Sequence, residues 1–347
     1  MHFLSANQIR QLVDCEQVYA AYRAAEREYR QRFTGAMAWK GVSGRQYLYR
    51  KKADVWRSLG PRSPETERSF EQFRAGRAVL KARRKSLDSE IRAMAPVNKA
   101  MKLGRVPWIA ARILRRLERE GLLGQGVRVV GTHALYAYER MGGVHFRLEA
   151  VATRDIHLLQ DSRLGLSFVT SELREAGLIG LLQAIDPSFQ PTEAGSFRAA
   201  NDKGFMVDLI TPMLRNRATH ATPRSDVPGD LAAVEIEGLT WLENSPSVEQ
   251  VVLDDRGYPL TIVAADPRAF AIHKSWLSRR DDRDPAKRRR DSAQAEAVTT
   301  MLAASLPHLR FDDPCLNAFP DDVRALGAGL VAAARERLEP DPSWDEE

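Results

Sequence analysis

The chain has 347 residues, of which 44% are hydrophobic and 28% charged, and its formal net charge at pH 7 is +6. The hydrophobic share excludes a wholly disordered chain, and the length suffices for two or three folded units. No apolar run reaches the roughly 18 residues of a membrane-spanning helix, and the N-terminal stretch has no apolar signal core. We therefore expect a cytoplasmic protein without membrane spans, in which the distant Cys15 and Cys315 form no zinc site.

Basic residues are concentrated in the N-terminal third of the chain. Residues 1–120 contain 27 Lys and Arg against 12 Asp and Glu, whereas the remainder contains 25 against 34. Such a split is typical of a basic module that meets a polyanion, and it is equally compatible with solvated, Arg-rich helix faces. The sequence thus leaves two readings open, namely RNA or another polyanion bound through basic N-terminal helices, or basic helix surfaces exposed to water.

The N-terminal region comprises residues 1–124, and its first half is predicted to contain a helix and a β-hairpin. Ser5 and Gln8 have the spacing of a capping box, and Gly35 ends the helix that follows them. Residues 36–39 and 46–49 alternate in a way that favours two strands joined by a Gly-containing turn.

Two further helices are predicted in the second half of the N-terminal region. Ser63 followed by proline is typical of a helix start, and the apolar stripe that begins there is expected to stop before Pro96. A shorter helix is expected from Pro107 to Glu120.

From Gly126 the pattern indicates a mixed α and β core. Short apolar runs predict strands, and the Asn201–Gly204 and Asp254–Gly257 segments are typical hairpin turns. The predicted strands are residues 127–131, 144–151, 155–159, 197–200, 205–210, 248–253 and 259–263. Residues 125–265 form this core, and residues 266–347 are expected to be helical from Pro267 to about His308 and to end in an acidic tail.

Three polar side chains stand out on two of the core strands. Because side chains alternate along a strand, Asp155 and His157 point the same way, and Asp208 lies inside an otherwise apolar strand. Burying a carboxylate costs free energy unless its negative charge is neutralised, and a divalent cation shared with Asp155 would neutralise the charge of Asp208. The alternatives are that Asp155 merely begins a strand and that Asp208 pairs with an arginine.

The dipeptide Gly131-Thr132 follows a strand and opens a helix. At such a position the backbone can approach a phosphate, and free N–H groups can bind an anion. Together with the acidic residues, this arrangement predicts a site for a nucleoside triphosphate and its metal, suited to in-line displacement at phosphorus.

In this order, Gly131-Thr132, Asp155 with His157, and Asp208 resemble the motif of the nucleotidyltransferase superfamily, the fold of DNA polymerase beta and the CCA-adding enzymes. The chain is also similar to a bacterial family of uncharacterised nucleotidyltransferase-like proteins. That similarity is found in residues 47–50, 58–63, 266–274 and 287–291, in addition to the core motif. The resemblance implies an α+β fold with a nucleotidyltransferase core, Gly131 and Thr132 as nucleotide-binding residues, and Asp155 and Asp208 as catalytic metal ligands.

The sequence departs from that motif at one position, because His157 stands where the family pattern has the second acid of its strand pair. An imidazole adds no negative charge, suits Mn²⁺ or Zn²⁺ better than Mg²⁺, and cannot bridge two metals. Three interpretations remain open: a tolerated ligand in a one-metal or Mn²⁺-dependent enzyme, a protein that binds nucleotide without turnover, or an inactivating substitution.

In the C-terminal region, Lys274 is the predicted phosphate contact. It stands on a largely apolar helix between Ile272 and Trp276, whereas the arginines of residues 279–290 are also compatible with a solvated charge run.

The sequence thus predicts a nucleotidyltransferase that uses Mg²⁺ or Mn²⁺, with Asp155, His157 and Asp208 as metal ligands and an acceptor that is not specified. The alternatives are a degenerate fold that binds nucleotide or nucleic acid without turnover and, less specifically, an interaction protein that retains the scaffold.

Overall fold

The computed structural model describes residues 1–52, 55–163, 171–213, 225 and 227–338. The predicted acidic tail at 340–347 lies outside these residues. The helices are α1 Ala6–Glu28, α2 Pro64–Ala100, α3 Trp108–Arg119, α4 Leu135–Gly142, α5 Leu148–Val151, α6 Ser171–Gln183, α7 Leu239–Asn244, α8 Pro267–Ser278, α9 Pro285–Ser305, α10 Asp321–Arg324 and α11 Leu326–Leu338. Within the described ranges, none of these helices combines the length and apolar character needed to cross a bilayer.

The strands are short, as expected for a mixed α+β protein, and the predicted fold class is confirmed. They are β1 His2–Phe3, β2 Ala36–Val42, β3 Arg45–Lys52, β4 Val55–Pro61, β5 Val127–Val130, β6 Val144–His145, β7 Asp155–Gln160, β8 Gln190–Pro191, β9 Arg198–Ala200, β10 Met206–Pro212, β11 Val234–Ile236, β12 Ser247–Leu253 and β13 Pro259–Ala265.

The described residues form two compact units. The larger unit comprises those within Met1–Ile9, Gly104–Asp255 and Leu260–Glu347, and the smaller comprises those within Arg10–Leu103 and Arg256–Pro259. The three regions predicted from the sequence, 1–124, 125–265 and 266–347, remain a prediction about domain organisation.

The larger unit is built on a mixed sheet with the strand order β12-β13-β5-β7-β10-β9-β8, in which β11 also pairs with β10. β7 and β10 run parallel, whereas β5 is antiparallel to β7 and β9 is antiparallel to β10. Alternation along β7 sends Ile156 and Leu158 into one apolar cluster, while Leu159 joins a second cluster with residues of α7 and α8. The sheet is therefore covered on both faces, which fixes its register.

The smaller unit contains α2 and the antiparallel sheet β2-β3-β4. The predicted hairpin is confirmed, and β4 is an additional strand that its mixed polar pattern did not reveal. Ser63 caps α2 as predicted, accepting from the N–H of Thr66. In the larger unit, the capping box predicted at Ser5 and Gln8 also forms, since Gln8 N–H donates to Ser5 Oγ and Ser5 N–H donates to Gln8 Oε1.

Three predicted boundaries are wrong. α2 continues through Pro96 because Asn98 anchors its last turn, donating to the carbonyl of Gly257 at 2.8 Å. The strand expected at 144–151 ends at His145, since the N–H of Phe146 donates to the Glu139 carboxylate instead of a neighbouring strand.

The helix expected from Pro267 to His308 is interrupted and becomes α8 and α9. Asp284 caps the second helix by accepting from the N–H groups of Ala286 and Lys287, with Pro285 at the first helical position. This break allows α9 to pack back against α8, and Arg290 of the basic segment at 287–291 reaches Thr132, which follows β5.

Candidate metal centre

Asp155, His157 and Asp208 come together on one face of the larger unit's sheet. β7 and β10 are parallel neighbours, and their register places Asp208 beside His157 and Met206 beside Asp155. One ligand atom from each of the three side chains lies within 4.8 Å of the others. Strand alternation, which the sequence predicts, and the parallel pairing of β7 with β10, which the structure shows, together produce a compact cluster of two carboxylates and one imidazole.

The imidazole stands between the two carboxylates. His157 Nε2 is 3.6 Å from Asp155 Oδ2 and 3.5 Å from Asp208 Oδ2. Burial lowers the pKa of His157, and nearby Lys274 and Arg198 lower it further, while the two aspartates act in the opposite direction. The two distances show that Nε2 faces the same space as the carboxylate oxygens.

Asp155 is oriented by Thr153, which lies just before β7. The hydroxyl of Thr153 donates to Asp155 Oδ1, which leaves Oδ2 facing His157. Burial tends to raise the pKa of Asp155, but the Thr153 hydroxyl and the neighbouring His157 hold the pKa below its ordinary value. Asp155 is thus an ionised, partly exposed carboxylate at the edge of the cluster.

Arg198 is a member of the site that the sequence analysis did not identify. It lies directly opposite Asp208 on β9, and its guanidinium donates from Nε to Oδ1 at 2.7 Å and from the terminal nitrogen to Oδ2 at 2.6 Å. This bidentate pair raises the pKa of Arg198. The buried carboxylate that was expected to require a cation is therefore compensated by an arginine, which is one of the alternatives left open above.

Gly131 lies against the histidine of the cluster. β5 is antiparallel to β7 with Val130 opposite His157, so the residue after β5 arrives beside the ring. The backbone of Gly131 has φ +68°, and a Cβ there would lie 3.1 Å from His157 Nδ1. Glycine is required both for the left-handed backbone and for this close approach.

We expect Gly131→Ala to lower both stability and cation binding. The left-handed backbone costs an alanine about 1–2 kcal/mol, and the added methyl group pushes the His157 ring away from the carboxylates. Thermal unfolding and Mn²⁺ calorimetry measure the two effects. Gly195→Ala is the matched control, because Gly195 has φ +69° with no heavy atom within 4 Å of the added Cβ. Equal Mn²⁺ affinity in both variants would show that a methyl group at position 131 does not displace His157 from a cation site.

Thr132 is held by helix α9. Its buried hydroxyl accepts from Arg290 and from Gln294, each at 3.2 Å, and Arg290 also donates to the carbonyl of Ala152. The basic segment 287–291 therefore supports the turn at Gly131-Thr132. The side chain of Thr132 is engaged within the protein, whereas the backbone of this turn is the part that can approach an anion.

Lys274 is also engaged in the interior. Its Nζ donates to Asp291 Oδ1 at 2.6 Å, and Arg283 donates to Asp291 Oδ2 at 3.0 Å. Burial lowers the pKa of Lys274, and Asp291 opposes that shift. The structure thus gives Lys274 a partner on α9, and its contact with a phosphate remains a prediction.

His133 belongs to the packing beneath the turn. Its ring makes edge contacts with Tyr136 and Phe205. Complete burial lowers its pKa to about 4, so the ring is neutral.

The donor set fits one divalent cation. Two carboxylates and an imidazole nitrogen converge from two strands, and that combination suits Mn²⁺ or Zn²⁺ at least as well as Mg²⁺. His157 itself cannot bridge a pair of cations, because its single available nitrogen binds one metal. Arg198 further reduces the negative charge of the cluster.

Comparison with known proteins and protein families identifies a family. Neither a curated protein nor a solved structure matches the chain. A family model described as nucleotidyltransferase matches residues 109–320, which is more than half of the chain and includes every residue of the cluster and its supporting segment. The chain therefore belongs to the nucleotidyltransferase family.

Proposed function

We propose that the protein transfers a nucleoside monophosphate from a nucleoside triphosphate to an acceptor, using one divalent cation. The observation that carries this proposal is the convergence of Asp155, His157 and Asp208 within 4.8 Å, beside a left-handed glycine that opens a helical turn. Family membership supports the reaction type, and the geometry supports the residues assigned to it.

In the proposed reaction, an acceptor oxygen attacks the α-phosphorus and the bond from that phosphorus to the bridging oxygen breaks. Pyrophosphate leaves, and the acceptor's proton passes to a base. Asp155 is suited to receive that proton, because it is ionised and its side chain is partly exposed. Asp155, His157 and Asp208 would hold the cation, which supplies charge neutralisation at the phosphates.

We assign the triphosphate to the turn after β5. The backbone N–H groups of Gly131 and Thr132 stand where the helical turn begins, and Arg290 adds a positive charge close to them. Lys274 is proposed to neutralise developing charge from within its ion pair with Asp291. These residues position a substrate that the cation site alone would not orient.

Incubation with each labelled nucleoside triphosphate, with Mg²⁺ or Mn²⁺, and with RNA or protein acceptors tests the proposal. We expect metal-dependent incorporation of the label together with release of pyrophosphate. Failure of every triphosphate and metal to label any acceptor, with a protein that binds Mn²⁺, would overturn the transferase assignment.

His157→Asp is expected to raise Mg²⁺-supported activity relative to Mn²⁺-supported activity. The substitution replaces a neutral nitrogen ligand by a carboxylate, which is the ligand that Mg²⁺ prefers. The ratio of turnover in Mg²⁺ to turnover in Mn²⁺ is the measurement, and His157→Asn, which adds no charge, is the control. A lower ratio in a well-folded His157→Asp variant would show that the imidazole has a function of its own.

A second candidate is a nucleotide- or nucleic-acid-binding protein without turnover. The bidentate pair of Arg198 with Asp208 favours it, because a guanidinium already occupies both oxygens of a proposed metal ligand. Nucleotide binding that persists in Asp155→Asn, with no incorporation by the unaltered protein, would support this candidate.

A further inference from the structure

The small sheet of the smaller unit has one face covered by a helix. Leu48 on β3 is fully buried, and Trp39 on β2 packs against Phe70 of α2 with ring centroids 5.9 Å apart. Arg50 lies over the ring of Phe73, also on α2, at 4.3 Å. Because side chains alternate along strands, the neighbours of these residues point to the opposite face.

That opposite face combines aromatic rings with positive charge. Lys40 on β2 lies 3.8 Å from the ring centroid of Trp56 on β4 and 5.2 Å from that of Tyr49 on β3, which places the three side chains on one surface. Tyr47 is the strand partner of Lys40, and Arg45 is two residues before Tyr47 on the same face. We call these five residues the aromatic face.

The aromatic face is accessible. Lys40 and Arg45 are exposed, Trp56 is 36% exposed, and the two tyrosines are half-buried. The sequences of the three strands contain no Asp or Glu. Charge on this face is therefore of a single sign, and it complements a polyanion.

We propose that the aromatic face binds single-stranded nucleic acid, with unpaired bases stacked on Trp56, Tyr49 and Tyr47 and phosphates beside Lys40 and Arg45. Rings interleaved with cations on an exposed sheet are the combination that single strands require, because every base offers a flat face and every linkage a negative charge. A duplex hides its base faces and cannot stack in this way. The proposal concerns the smaller unit alone and does not depend on the proposed transferase reaction.

This assignment differs from the polyanion surface expected on the N-terminal helices. α2 is densely basic, with exposed Lys81 and Lys85, yet aromatic rings on α2 such as Phe73 face the interior. Charge without accessible rings predicts salt-dependent attraction only, whereas the aromatic face predicts discrimination between single and double strands.

Fluorescence anisotropy with the full chain and labelled oligonucleotides of about 12 nucleotides tests the proposal. We expect single-stranded RNA or DNA to bind more tightly than a duplex of the same length. Trp56→Ala and Tyr49→Ala are each expected to weaken single-strand binding about fivefold or more, and Trp56→Phe to retain most of it. Equal affinity for single strand and duplex, or unchanged binding in a Trp56→Ala/Tyr49→Ala variant, would overturn the proposal.

A charge-matched pair of variants locates the surface. Lys40→Gln/Arg45→Gln is expected to reduce the slope of log affinity against log salt by about 1.4, since each lost phosphate contact contributes about 0.7 for a single strand. Lys81→Gln/Lys85→Gln removes the same charge from α2 and is expected to leave the slope nearly unchanged. The reverse result would assign binding to the helix and contradict the proposal. Circular dichroism and thermal unfolding of every variant separate lost binding from lost folding.

Discussion

Asp155→Asn and Asp208→Asn, made separately, are each expected to lower nucleotide incorporation by about a thousandfold. Each variant keeps the size of the side chain but removes one of the two negative charges that converge at His157. Loss of a charged ligand forfeits several kcal/mol of stabilisation in the transition state, and each 1.36 kcal/mol is a tenfold change in rate. Steady-state incorporation of labelled nucleotide at saturating Mn²⁺ measures the effect.

Asp312→Asn is the control for these two variants, because Asp312 is an exposed carboxylate that pairs only locally with Arg310. It is expected to behave like the unaltered protein. Calorimetric titration with Mn²⁺ adds a second measurement that does not need turnover, and both cluster variants are expected to bind the cation more weakly. Incorporation within a fewfold of the original rate in either variant would remove that aspartate from the mechanism.

Local rules were sufficient to predict where the cluster would form. Alternation along a strand put Asp155 and His157 on one face, and Asp208 stood out as a carboxylate within an apolar strand. The structure brings these three side chains together because β7 and β10 are adjacent and parallel. Their roles as metal ligands and catalytic groups remain predictions, as does the contact of Gly131 and Thr132 with a nucleotide.

The pairing of Arg198 with Asp208 follows from the register of a hairpin that the sequence predicts, although the sequence analysis did not identify Arg198. The turn at Asn201–Gly204 was recognised as a hairpin, and in the structure Ala200 pairs with Met206 across it. Counting two residues outward on each strand leads to Arg198 and Asp208, whose side chains share a face. The register of a hairpin thus contained information on how the buried carboxylate is neutralised.

Contacts made by α9 could not be predicted in this way. Arg290 and Asp291 both lie on α9, where Arg290 contacts Thr132 and Asp291 contacts Lys274 of α8. Both contacts depend on the break in helical structure between α8 and α9, which lets the two helices pack together. These partners are far apart in sequence, and no periodicity links them. Pro96 shows the same limit at shorter range, because a buried Asn98 overrides the local preference to end the helix there.

Arg198→Met is expected to make folding stability depend strongly on a divalent cation. Without Arg198, the buried carboxylate of Asp208 loses both hydrogen bonds, and removing one partner of a buried pair costs about 3–5 kcal/mol. Because the Arg198 side chain is 34% exposed, we expect a smaller loss of about 2–3 kcal/mol, or roughly 5–10 °C in Tm. Thermal unfolding in a metal-free buffer measures this loss.

Mn²⁺ is then expected to restore more stability to Arg198→Met than it adds to the unaltered protein. In the variant a cation neutralises Asp208 directly, whereas in the unaltered protein the guanidinium already neutralises Asp208 and competes with the cation for its oxygens. Arg163→Gln is the matched control, because Arg163 forms a bidentate pair with Asp161 in which the arginine side chain is 58% exposed, and the Tm of this variant is expected to change little with or without Mn²⁺. An equal Mn²⁺-induced shift of Tm in Arg198→Met and the unaltered protein would show that arginine and cation do not compete for Asp208.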